Sequence, residues 1–492
     1  MAAARGANAL AQEPAIYRPR VFMMSDILNE PDDEMSLVRF LLYSNHFDVR
    51  GICATTSISL QNETHPEAME RIIRAYAKVV DNLNTHVGPN CQYPDPDKLL
   101  ALVSSGPKVY GRKFLDEPLS EGAKRLVQAL DESEEPLYCG LWGGANNVAQ
   151  ALHHIEQTKP KEEGARLRSR LRVYAISDQD DAGLWIRIHW PNMFYIVSVH
   201  GFGEFLAATW VGINESDNGM PDMTKVKDDW LTPNIRLGPL GAEYPYITFG
   251  MEGDSPSFMW LIPNGLSNPE RPEWGGWGGR YNRVTWSHDL SGEYGVSPDT
   301  VITKEGKPYM SVQSTIWRWR DASQDDFASR MQWTLHQDFS ATAHPPILNI
   351  NGSAGPELLQ IEFAPEESVI LDASKTIDVD HPDDLSQLEF EWYYYLEPGF
   401  PHSTGKPFGD NVPIKPLSPP EGTDGILAVN EAGFSNVVLG PKVSVTNLIP
   451  PTSKKDQLEG EWHVILQVRT KKGPYHIRRY KRVVFKYVAA EA

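Results

Sequence analysis

The chain of 492 residues has no apolar run approaching the ~20 residues that a membrane-spanning helix needs. It has few cysteines. Cys53, Cys91 and Cys139 cannot all pair, and their spacing fits no zinc pattern, so neither a disulfide framework nor a zinc knuckle organises the fold. Cys53 and Cys139 lie in apolar strand-like runs and read as small buried hydrophobes. Basic residues are in deficit: 46 Lys and Arg against 65 Asp and Glu give a net charge of -19. That field excludes a nucleic-acid polymer, whose recognition rests on surplus cation, and suits a neutral glycoside or a metal cation. The first twenty residues lack the apolar core of a signal peptide, and no internal repeat or long low-complexity tract interrupts the chain.

What is present falls into two patterns. From Arg18 to about Gly212, short apolar runs alternate with segments of helical period, as in an open, mostly parallel α/β sheet. Strands are expected at Arg20 to Met24, Phe47 to Thr56, Pro136 to Trp142, Leu171 to Ile176 and Met193 to Val199. Helices are expected from Asp32, from His65 towards Val80, and over Val148 to Ile155. From about Asp217 to Thr300 the composition turns to Gly, Pro and Trp, including Trp274-Gly275-Gly276-Trp277-Gly278-Gly279, and reads as long ordered loops. A helix near Asp325 to Thr334 closes the unit. Beyond Pro346 strand-like runs recur between turn signals, an all-β sandwich pattern. The expected division is an extension over 1–17, an α/β domain over 18–340 and an Ig-like sandwich over 341–492. Asp372, Asp378, Asp380, Asp383 and Asp384 read as solvated turn residues of that sandwich, with a second calcium site as the alternative.

The chemically informative segment is Ser25-Asp26-Ile27-Leu28-Asn29-Glu30-Pro31-Asp32-Asp33. Four carboxylates within eight residues sit where a first strand ends and its helix begins, the crevice in which open parallel sheets bind ligands. Carboxylates this close repel unless protonated, solvated or bridged by a hard cation, and calcium, with 6–8 oxygen ligands, is the ion suited to them. Solvated loop acids and an ordinary helix start are the plainer alternative.

The company of this segment resembles the nucleoside hydrolases. Ser25-Asp26 followed by Asp32-Asp33 is similar to that family's Asp-x-Asp-Pro-Gly-x-Asp-Asp motif with two residues inserted. Ala54-Thr55-Thr56, the turn Gly143-Gly144-Ala145-Asn146-Asn147, Asp181-Ala182-Gly183 and Gly253-Asp254-Ser255-Pro256 stand where the family has its later motifs. Closer still is the resemblance to the nucleoside hydrolase-like domain of bacterial cellulose-binding proteins. It is carried by Asp-Ile-x-x-Glu-Pro-Asp-Asp, His-Pro-Glu, the Gly-Gly-Ala-Asn turn, Glu-Gly-Asp-x-Pro-Ser and the Trp-Gly-Gly-Trp-Gly-Gly stretch, across about residues 18–340. A C-terminal sandwich is usual in that group.

The resemblance implies a calcium ion held by Asp26, Asp33, Asp254 and the main-chain carbonyl of Asn146. It implies Asp26 as the base that deprotonates a metal-activated water, and Asp32 as acceptor of sugar hydroxyls. Asn29, Glu30, His65, Trp142, Asp178, Asp180, Glu252 and Trp274 are the remaining candidates for substrate contact, with Trp277 beside them as a possible stacking ring. Three positions depart from the family pattern: Met24 replaces an acid, Gly253 replaces a histidine, and the stretch around Asp178 is shortened. The expected activity is calcium-dependent hydrolysis of a nucleoside or related glycoside outside the cell. The alternatives are a carbohydrate-binding protein, for cellulose in particular, that has lost catalysis, and a purely structural module.

Overall fold

In a computed structural model, the chain is described for residues 10, 14 and 16–488, apart from 202, 286, 288–289, 400–411 and 449–460. The first strand, β1 (Arg20–Ser25), is buried along its whole length. That is what its unbroken apolar run demands of a strand covered on both faces. It lies between β2 (Asp48–Ala54) and β4 (Leu137–Leu141), parallel to each. The sheet continues outwards on one side to β3 (Val103–Ser105). On the other it runs through β5 (Leu171–Ser177), β6 (Phe194–Ser198) and β8 (Glu293–Val296) to β7 (Tyr281–Arg283). Seven strands are parallel and only β7 runs antiparallel.

The chain therefore builds outwards from β1 through β2 and β3, then returns to β1's other edge with β4. This reversal is the topological switch point, and it opens a crevice at the carboxyl ends of β1 and β4. The helix Pro31–Tyr43 follows β1, and Asn146–Thr158 follows β4. The strands and helices expected from the sequence are present, with ends shifted by a few residues.

The Gly- and Trp-rich stretch forms short helical turns and the strands β7 and β8. Its second half packs on the C-terminal unit, which is all-β. That unit has a six-stranded sheet in the order Leu359–Phe363, Arg478–Tyr487, Glu461–Thr470, Leu388–Tyr395, Ser435–Leu439, Ile426–Val429. It faces a three-stranded sheet of Ser368–Asp372, Lys442–Thr446 and Ile414–Pro416.

The period of two along these strands divides their side chains between two cores. Trp392, Val464 and Leu466 fill the sandwich interior. Tyr393, Tyr395 and Ile465 point the other way and join Trp277 and Trp319 in the core of the α/β unit. The helix Arg320–Trp333 is enclosed between the two, and its acids meet strand arginines across the seam: Asp325 with Arg478 (2.9 Å) and Asp326 with Arg479 (2.5 Å). Asp380, expected on a solvated turn, is instead buried against His344 (2.8 Å), whose ring reaches His86 (3.0 Å) in the α/β unit.

Candidate functional site

The site begins where β1 stops. The Asp26 carbonyl accepts the Asn29 N–H at 3.0 Å, and Leu28 takes a left-handed conformation with φ 75° to close this turn. Ser25 Oγ accepts the Ile27 N–H (3.0 Å) and donates to Asp33 Oδ1, tying the strand end to the helix start. Pro31 then opens the helix, a position where its missing N–H costs nothing, and Asp32 and Asp33 fall in the first turn. The unpaired N–H groups and positive dipole end of that turn favour acids there.

Asp254 arrives from a distant loop. Glu252 precedes it in a left-handed conformation (φ 53°), and its buried carboxylate is fully engaged. Arg39 Nε stands 2.5 Å from Oε2, Tyr244 Oη donates to Oε1 at 2.5 Å, and Ser255 Oγ donates to Oε2 at 2.9 Å. Behind the same loop, Trp142 Nε1 donates to Ser257 Oγ (2.7 Å), which donates to the Asp254 carbonyl (2.7 Å). The aspartate is thus fixed from two sides.

Asp32, Asp33 and Asp254 each bring a carboxylate oxygen to within 4.8 Å of the others. Asp26 is buried and within electrostatic reach of all three. Gly143, in the turn after β4, passes so close that a Cβ there would lie 2.8 Å from Asp26 Oδ1. Among the described residues no Lys, Arg or His forms an ion pair with any of the four. Asp26 Oδ2 and Asp254 Oδ2 are buried with no hydrogen-bond partner.

The electrostatic consequence is a site that resists ionisation. Burial, opposed by hydrogen bonding from Ser57 and Asn29, pushes the Asp26 carboxyl up to about 6. Burial, with Glu30 and Asp26 adding repulsion, pushes Asp32 to about 7. Asp33 and Asp254 are raised well above the usual carboxylate range by burial and then by their acidic neighbours. A buried group of acids with two orphaned oxygens and no protein cation fits a hard divalent ion, the calcium preference.

The other predicted residues divide. Asn29 and Glu30 border Asp26 and bear on its ionisation. Asn146 heads its helix, donating its N–H to Asp180 (3.0 Å) and its side-chain amide to Thr56 Oγ1 and the Val109 carbonyl. Its side chain therefore leaves the site.

Six further candidates for substrate contact have protein partners of their own. Asp180 is a cap: it accepts from the Ala182, Gly183 and Asn146 N–H groups and so joins two helix starts. Asp178 is held by both terminal nitrogens of Arg187 (2.8 and 2.6 Å). Glu252 is the buried anchor just described, and Trp142 a buried support. His65 stands at the start of the helix Pro66–Tyr76 with Nδ1 on Glu67 (2.9 Å), a local pairing. Trp274 lies in the seam, edge-on to His463 and under the guanidiniums of Arg271 and Arg482. Trp277 is likewise buried there, against Tyr480. Glycine at 275 lets the loop cross against the Tyr395 hydroxyl, with φ 73°.

Sequence reasoning assigned no role to Ser25, Ser57 or Ser257. Ser25 adjoins Asp26 and could have been found; the others come close only through folding.

Two family descriptions match the chain: "Cellulose-binding Sde182, nucleoside hydrolase-like domain" over residues 20–281, and "Cellulose-binding protein Sde0182, C-terminal domain" over 368–487. Among solved structures, a nucleoside hydrolase-related hypothetical protein from Saccharophagus degradans, described as associated with carbohydrate metabolism, is 26% identical. The match covers 96% of this chain and 100% of that one, with a TM-score of 0.73. An inosine-uridine preferring nucleoside hydrolase from Bacillus anthracis is 12% identical over 65% of this chain and 100% of its own, with a TM-score of 0.33. No curated protein matches. The parallel sheet, the acidic crevice at its switch point and the sandwich behind it go with these matches: the chain belongs to the cellulose-binding Sde182 family, with its nucleoside hydrolase-like and C-terminal domains.

Proposed function

We propose that the crevice is the calcium site of a glycoside hydrolase, with Asp26, Asp33 and Asp254 as carboxylate ligands and the Asn146 main-chain carbonyl completing the set. The observation that carries this reading is a group of four carboxylates with no cation paired to them among the described residues, three of them buried and two of those with an orphaned oxygen. Calcium, when bound, supplies charge that lowers the pKa of water and stabilises its conjugate base. Asp26 is the group that accepts the proton of the attacking water. Its second oxygen, Oδ2, has no hydrogen-bond partner and is available for that transfer. Asp32, whose Oδ2 accepts the Gly253 N–H (3.2 Å), has its other oxygen for a sugar hydroxyl, and Asn29 and Glu30 border the same space. The ring of acids favours the positive charge that develops on a sugar during glycosyl cleavage. The substrate class is a small glycoside or the end of a polysaccharide, met outside the cell.

A second reading, carbohydrate binding without catalysis, is supported by the family's description as cellulose-binding and by glycine at 253, where a histidine would protonate a leaving group. The two are separated by turnover of a panel of nucleosides and aryl furanosides and pyranosides by the calcium-loaded chain. Hydrolysis that is abolished in Asp26→Asn supports the enzyme. Saccharide binding with no turnover of any member supports the binding protein.

A further inference from the structure

Gly253 has backbone angles open to other residues, yet its surroundings forbid a side chain. A Cβ there would stand 2.8 Å from Cζ3 of Trp210, 3.0 Å from its Cε3 and 2.8 Å from Asp32 Oδ2. Trp210 belongs to the short helical turn Thr209–Ile213 beyond β6. Its indole N–H donates to Ser177 Oγ (3.1 Å) at the carboxyl end of β5, and that hydroxyl also meets His200 Nε2 (2.9 Å). The ring is thereby fixed across the crevice wall beside Asp32. Unlike the sealed Trp142, Trp277 and Trp319, it keeps part of its surface in solvent.

We propose that Trp210 is the stacking platform of the crevice, receiving the apolar face of a pyranose ring whose hydroxyls are held by Asp32. This rests on the reading of the crevice as a carbohydrate site. An aromatic face beside an acceptor suits a sugar, which offers C–H groups on one face and hydroxyl donors at its edge. It suits a nucleobase less, because beside the ring the indole N–H is taken by Ser177 and the Gly253 N–H by Asp32. The ring fills the space a side chain at 253 would need, so the departure at that position exchanges a protonating residue for a flat apolar wall.

The test is titration of the calcium-loaded full chain with cellotetraose, and in parallel with inosine and adenosine, by calorimetry and by tryptophan fluorescence. Calcium affinity is measured separately on each variant. Trp210→Ala should weaken cellotetraose roughly tenfold or more at unchanged calcium affinity. Trp210→Phe should keep the calorimetric affinity within about threefold while losing the saccharide-induced fluorescence change, which a merely structural tryptophan would not do. Gly253→Ala, pressing a methyl group onto the ring, should weaken the saccharide with Trp210 still present, and covers the case in which the alanine variant fails to fold. Unchanged cellotetraose affinity in folded Trp210→Ala overturns the proposal, as does wild-type protein that binds the nucleosides and not cellotetraose. If wild type takes up no calcium while Trp210→Ala still loses cellotetraose, the metal reading falls and the platform stands.

Discussion

Replacing Glu252 by glutamine leaves the shape of the loop almost intact and removes one charge from a sealed pair. In the wild type that carboxylate meets Arg39, Tyr244 and Ser255, and both Arg39 and Glu252 are excluded from solvent. Arg39 keeps one other side-chain oxygen, on Gln324, and its guanidinium lies over the Phe327 ring at 4.1 Å. Neither supplies negative charge. Breaking a buried pair from one side typically costs about 3–5 kcal/mol, because the remaining ion stays desolvated and uncompensated. For an α/β unit of about 320 residues that corresponds to a fall in melting temperature of roughly 4–7 °C. Asp254 lies two residues away on the same loop, so calcium affinity should fall with it. The assay is thermal unfolding of wild type, Glu252→Gln and the double variant Arg39→Met/Glu252→Gln at saturating calcium, with the affinity from calorimetry. The double variant should regain a substantial part of the loss, since no unpaired ion remains. A single variant within about 1 kcal/mol of wild type, or a double variant no better than the single, would refute the reasoning.

Asp326 tests the seam by pH. Burial alone would raise its carboxyl, but Arg479 and Arg330 outweigh that and hold it well below the usual range. Its contribution is therefore present above the unfolded pKa of about 3.9 and is lost as pH falls. Asp326→Asn should destabilise the protein at pH 7, and the difference from wild type should shrink by about 1.4 kcal/mol per unit below pH ~4; an equal difference at pH 7 and pH 3 would contradict it. Truncation at the proposed boundary near residue 340 strips the cover from Trp277 and Trp319, which pack with Tyr395, Phe434 and Tyr480. The fragment 18–340 should thus aggregate or bind a hydrophobic dye, and a soluble monomeric fragment melting like the whole chain would count against a shared core.

The α/β architecture was legible because the buried strands have unbroken apolar runs and the helices between them a different period. The short strands Val103–Ser105, Tyr281–Arg283 and Glu293–Val296 were not, since three or four residues carry too little pattern to separate strand from loop. At the site, Asp26, Asp32 and Asp33 are close in the sequence and could be grouped on chemistry, whereas Asp254 was reached only through resemblance. Asp178, Asp180 and Glu252 share the residue type of the proposed ligands, and only their partners distinguish them: a guanidinium, helix N–H groups and a buried ion pair. Trp274 and Trp277 show the same limit. A tryptophan flanked by glycines has the composition of an exposed platform and of a packed seam alike, and what faces it is decided by residues some two hundred positions away, such as His463 and Tyr480.

The central claim is that the carboxylates of Asp26, Asp33 and Asp254 exist to hold a calcium ion. It is tested most directly by calcium calorimetry on chelator-stripped protein, with Asp33→Asn and Asp254→Asn alongside. The account predicts one calcium per wild-type chain, a higher melting temperature on its addition, and binding weakened at least about tenfold in each variant, as expected when a hard-cation cage loses an anionic ligand. A wild-type chain that takes up no calcium and melts at the same temperature with and without it would contradict the account.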